Sequence, residues 1–164
     1  MASALLGIVI ASVSGAYSDA VTTVFSSTIA AKAWFATAAV AFAIIQVLTA
    51  TRMYGRLQRV IPAPVGVVAR VHRWSGRLAL VLTLPVMFHC IFILGFQTVS
   101  TRVLIHSVLG SFIYGVFAAK VVFLRDHSYP RLAIPVAGGV LFAVLVLLWA
   151  TSAGWYFTSV RIGF

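Results

Sequence analysis

The chain has 164 residues, of which 62% are hydrophobic and only 9% charged, with a mean hydropathy of +1.10. A soluble domain averages about 45–50% apolar and about 25% charged residues, so this composition excludes a soluble globular fold and implies an integral membrane protein. The net charge of +10 would suggest nucleic acid in a soluble protein. Here, six of the twelve basic residues crowd one stretch, Arg52, Arg56, Arg59, Arg70, Arg73 and Arg77, and such clusters beside membrane spans instead mark the cytoplasmic side and attract anionic lipid headgroups.

Residues 1–29 lack a basic n-region, since the first cation is Lys32, which argues against a standard secretory signal. The apolar run Ala4–Ala11 is too short to cross a bilayer. Ser, Thr, Gly and Asp19 dominate the remainder of this segment, so residues 1–29 are expected to form a short amphipathic or partly embedded segment outside the membrane. The rest of the chain, 30–164, reads as one domain with four spans.

The first span is expected at Ala33–Ala50, its alanines permitting close helix approach, with Lys32 and Trp34 as an interfacial anchor. Gly55, Pro62, Pro64 and Gly66 then break the chain. The second span begins near Val65 as an interfacial helix and runs to Gln97, interrupted by Pro85, which removes a backbone hydrogen bond and kinks the helix. The third is Val103–Leu124, stopped by Pro130, and the fourth Leu132–Thr158, with Trp149, Trp155 and Tyr156 placed like an aromatic belt. The first loop carries six basic residues, the second only Arg102, and the third Arg125 and Arg131. The expected fold is therefore an all-α integral membrane four-helix bundle, with the first and third loops cytoplasmic and both termini outside.

All four histidines, His72, His89, His106 and His127, belong to the second and third apolar stretches and their ends. If these helices pack side by side, His89 and His106 lie about eight residues either side of the loop midpoint. At ~1.5 Å per residue they then reach nearly one depth. Ionisable groups within spans are costly and usually functional, and neutral imidazole is the commonest protein metal ligand. Two imidazoles facing each other inside a membrane can clamp a haem iron. A histidine bonding between helices is the bland alternative.

His72 and His127 form a second candidate pair, mismatched in depth by one turn. Gly110 and Gly76 each sit four residues after a histidine, on its helix face, where a missing side chain leaves space for a flat macrocycle. Ordinary small-residue packing serves equally. Lys120 either snorkels to the interface or pairs with a haem propionate alongside Arg73 or Arg77. Arg102 either serves an outer propionate or caps its loop. Cys90 excludes an internal disulfide and reads as packing, and no C-x-x-C-H run exists to attach a c-type haem.

The run HRWSGRLALVLTLPVMFHC followed by RVLIHSVLGSFIYG resembles membrane b-type cytochromes of the cytochrome b561 and ferric-reductase-like kind. The resemblance covers about residues 66–127 and rests on loose motifs: histidines, nearby glycines and basic flanks. It implies one or two non-covalent haems b with bis-histidine ligation and electron transfer across the membrane. Cytochrome b561 spreads its ligands over four helices, and ferric reductases pair histidines thirteen or fourteen apart on each helix, whereas the separations here are seventeen and twenty-one. No flavin or nicotinamide domain fits within the chain, so any reductase activity would need a partner.

The expected protein is thus a cell-membrane cytochrome b with His89 and His106 as ligands of one haem, and His72 and His127 of a second. It would serve as a subunit of a larger electron-transfer complex or face a quinone. A haem-free membrane scaffold is the competing class. A proton-coupled transporter is disfavoured because neither acid, Asp19 or Asp126, falls within a span.

Overall fold

The computed structural model describes residues 2–126 and 128–159, with side chains from residue 12 onward; His127 lies outside the described residues. Among those described, all regular structure is helical. Helix α1 covers Ala2–Thr22, α2 Thr28–Met53, α3 Val65–Phe88, α4 Thr101–Arg125 and α5 Ala133–Trp149. A π-helical segment, His89–Leu94, prolongs α3, and a second, Ala150–Gly154, leads from α5 into the short α6, Trp155–Ser159. Four helices are long and apolar enough to cross a membrane: Thr28–Met53, Val65–Leu94, Thr101–Arg125 and Ala133–Ser159. The protein is an all-α membrane bundle.

Local chemistry sets the ends. The Ser27 hydroxyl accepts the Ala30 N–H at 3.1 Å, capping α2, and Ser100 caps α4 by accepting the Val103 N–H at 3.3 Å, each satisfying a donor that the first helical turn leaves free. After α2 the chain turns through Gly55 at φ +84°, and the π segment of α3 ends on Gly95 at φ +68°, conformations that favour glycine. Arg52 holds the turn below α2 by donating to the Ile61 and Ala63 carbonyls at 2.7 and 3.1 Å. At the opposite end, Ser107 accepts the Gln97 N–H and donates to the Gln97 carbonyl, fastening the 95–100 loop to α4. Beyond α4, the Ser128 N–H donates to the exposed Asp126 carboxylate at 2.9 Å and holds its pKa below the ordinary value.

α2 is the central column. Ala30, Ala31, Ala33, Ala39 and Ala43 are buried along it, and these small side chains let neighbouring backbones approach. α3 packs along α2, α5 crosses α2, and α4 packs along α5. α3 and α4 do not pack along each other. This corrects the expectation that the two histidine-bearing helices lie side by side. Helix contact is decided by which faces carry small residues, and the alanine face belongs to α2. Tyr114 spans the space between α3 and α4, its hydroxyl donating to the Thr83 carbonyl at 3.2 Å.

The N-terminal region forms a 21-residue helix that meets the bundle at α2 and at the π segment following α3. Trp149 is not a belt residue, because its indole N–H donates to Thr37 Oγ1 at 2.8 Å and braces α5 against α2.

The sidedness inferred from basic residues makes a simple prediction. A reporter fused after Phe164 is expected to be extracytoplasmic, and its accessibility to a membrane-impermeant label would check this; labelling only after lysis would invert the topology.

Candidate functional site

Two groups of polar side chains cross the bundle. At the arginine-rich end they are Thr49 on α2, His72 on α3 and Lys120 on α4. At the far end they are Lys32 on α2, His89 at the close of α3, His106 on α4 and Thr151 in the π turn after α5. Tyr114 and Thr83 stand between them.

His72 and His106 are held in the same way. His72 Nδ1 lies 2.9 Å from Thr49 Oγ1, and His106 Nδ1 lies 3.0 Å from Thr151 Oγ1. Each threonine hydroxyl already gives its single proton to backbone: Thr49 to the Ile45 carbonyl at 2.6 Å, and Thr151 to the Leu147 carbonyl at 2.8 Å. With the hydroxyl proton so placed, the threonine oxygen accepts from the ring, an arrangement that puts the imidazole proton on Nδ1 and depends on that tautomer. The lone pair is therefore left on Nε2 of both histidines, the tautomer that an outer hydrogen-bond partner fixes in metal-ligating imidazoles.

His89 is different. It is 8% exposed, and its Nδ1 is the one buried side-chain polar atom without a hydrogen bond among the described residues. The Tyr17 ring of α1 packs on its imidazole at 5.8 Å, and the Tyr17 hydroxyl donates to the Pro85 carbonyl, one turn earlier, at 3.2 Å. The Lys32 ammonium lies within electrostatic reach of both His89 and His106. Both π-helical segments fall in this layer, one starting at His89 and the other containing Thr151. Such turns occur often at functional sites.

The other residues singled out from sequence are distributed unevenly. Lys120 is half-buried, within electrostatic reach of His72, its Nζ 3.7 Å from where a Cβ on Gly138 would stand. Arg73 and Arg77 are exposed. At ~100° per residue they point about 100° and 140° away from His72 around α3. Arg102 turns to α5, donating to the Thr151 carbonyl and stacking over Trp155 at 4.2 Å, beside a cleft of about 500 Å³ lined also by Trp149 and Phe157.

The glycines separate as well. The space over Gly76 belongs to Gln46, whose amide carbon would lie 3.1 Å from an added Cβ, and that amide donates to Ser75 Oγ at 2.8 Å and to the His72 carbonyl. Gly76 is therefore a helix-packing glycine and no haem cradle. Gly76→Ala is expected to push Gln46 off these partners and destabilise the protein by about 1–2 kcal/mol, read as a lowered thermal midpoint in detergent. Gly110 faces Leu148 of α5 at an ordinary 3.9 Å.

Among the described residues, no three His, Cys, Asp or Glu side chains gather to hold an ion. Sequence reasoning missed Thr49, Thr151 and Tyr17. They act through space across 23, 45 and 72 residues, and no local spacing announces them.

The model for a family of unknown function, DUF6529, matches residues 1–164. The chain belongs to DUF6529. No curated protein and no solved structure matches this DUF6529 chain.

Proposed function

We propose that this DUF6529 protein is a membrane-embedded cytochrome b that relays electrons as a subunit of a larger complex in the cell membrane. In this reading it holds haem b without covalent attachment, His89 and His106 being the axial ligands at the far end of the bundle. The observation that carries the proposal is the contact of 3.0 Å between Thr151 Oγ1 and Nδ1 of the interior His106, which leaves Nε2 to a ligand when Nδ1 carries the proton. Three features support it: His89 is buried with an unsatisfied ring nitrogen, α3 and α4 stand apart, and both π segments fall in this layer.

Haem held there by His89 and His106 would supply reversible one-electron exchange. The residues of the chain bind and orient. Thr151 sets the His106 ring, Tyr17 packs against that of His89, and Lys32 brings positive charge for propionate carboxylates. His72, set by Thr49 as His106 is by Thr151, would ligate a second haem with His127, and Lys120 would neutralise its propionates. A quinone headgroup is the proposed exchange partner at the Arg102–Trp155 cleft, which offers one guanidinium and flat aromatic walls.

The threonine–histidine bonds also favour a second reading, a haem-free scaffold in which they join α3 to α2 and α4 to α5. That reading gives no task to the unpaired His89. Purified protein from haem-replete cells is expected to show a sharp reduced α-band of low-spin haem b and to yield a pyridine haemochrome. A colourless preparation would leave the scaffold.

A further inference from the structure

Arg70, Arg73, Trp74 and Arg77 follow the i, i+3, i+4, i+7 spacing of one helix face, and all four are exposed. At ~100° per residue their mean direction is opposite to that of Val68, His72, Ser75 and Gly76, the face that packs on α2 through Gln46. We infer that this outward stripe of α3 binds the phosphate-bearing headgroups of anionic phospholipids in the leaflet at the arginine-rich end.

Depth is the first argument. α3 and its π segment run for 30 residues, about 45 Å, whereas a hydrocarbon core of ~30 Å takes only ~20 residues. Counting back from Leu94, the core ends near residue 75. Arg70, Arg73 and Trp74 therefore stand at headgroup level, and Arg77 lies about 3 Å inside the boundary, from which its long side chain reaches back to the headgroups. The second argument is the composition of the face. Beyond Arg77 the same side of α3 continues as exposed Leu78, Val81 and Leu84, a change from cation to hydrocarbon that matches the boundary between phosphate and acyl chain.

The side chains themselves are the third argument. Arg52 is committed to the Ile61 and Ala63 carbonyls, whereas Arg77 lies over the Trp74 ring at 5.1 Å, leaving the edge of the guanidinium free for a bidentate phosphate contact. Trp74, 56% exposed, is a residue type enriched at this depth. Exposed Val67 and Val71 flank the arginines, a surface that suits lipid better than a soluble acidic protein.

The test uses the full chain in bilayers of phosphatidylcholine mixed with phosphatidylglycerol, and counts retained lipids by native mass spectrometry. The wild-type protein is expected to retain phosphatidylglycerol several-fold above its share of the bilayer, each arginine contributing up to about fivefold in partitioning. That enrichment should fall as salt is raised. Arg70→Gln/Arg73→Gln/Arg77→Gln should return retention to the bilayer share, and the corresponding triple lysine variant should keep part of the enrichment. Wild-type protein without enrichment or salt dependence overturns the inference even if the variant fails to fold. So does a folded glutamine variant that keeps the enrichment. Displacement of the lipid by inorganic phosphate would assign the stripe to a free anion, and displacement by polyglutamate to an acidic protein; either result rejects the lipid site.

Discussion

His89→Ala and His106→Ala are each expected to remove one haem per chain, or to leave it high-spin, and the two variants should behave alike. Each leaves the same iron with a single imidazole. His106 contributes a lone pair already oriented by Thr151, and His89 contributes a ring enclosed by Tyr17 and 8% exposed. The haem-to-protein ratio from pyridine haemochromes and the spin state from the optical spectrum read the effect. His72→Ala separates one centre from two: with a second haem the ratio halves, and with one it is unchanged. Unaltered spectra in both the His89 and His106 variants would end the bis-histidine reading.

Thr151→Val is expected to weaken haem binding by about 10–100-fold, the usual cost of deleting an outer hydrogen-bond partner of a ligating histidine. Valine keeps the shape of threonine and removes the acceptor at 3.0 Å from His106 Nδ1. The ring then loses the bond that fixes its tautomer, and its basicity falls. A poorer donor stabilises ferric iron less, so the reduction potential should rise. Haem titration of the apoprotein and a redox titration check the two effects separately. A variant that loses only thermal stability, with affinity and potential intact, would show that the bond serves packing alone.

The four spans were legible because bilayer thickness imposes a length of apolar chain that few other constraints mimic. α3 starts at Val65 as expected, and α4 begins two residues before Val103, after the Ser100 cap, and ends one residue beyond Leu124. α2 begins at Thr28 instead of Ala33, since the Ser27 cap and small residues extend a helix without raising hydropathy. The same reasoning hid α1, whose Ser, Gly and Ala positions look unlike a span yet remain helical. Partnering was less legible. Adjacency in sequence suggested α3 against α4, but the buried alanines of α2 took α3, and α5 took α4. The histidines could be named from sequence, whereas Thr49 and Thr151 could not, because hydrogen bonds between distant helices leave no periodic signal. The outward direction of Arg73 and Arg77 was readable from helical spacing, once His72 was known to face α2.

The absence of packing between α3 and α4 bears on how the chain is assembled during synthesis. α2 and α3 emerge as one hairpin, α4 and α5 as the next, and each closes on contacts local in sequence, the fast route for any chain. The hairpins then meet along α2 and α5, where Trp149 latches onto Thr37. They form a two-leaved structure hinged on one edge, with its opposite edge joined mainly by Tyr114 and the 95–100 loop. Each hairpin can therefore form from contacts near in sequence before the longer-range contacts along α2 and α5 join the two.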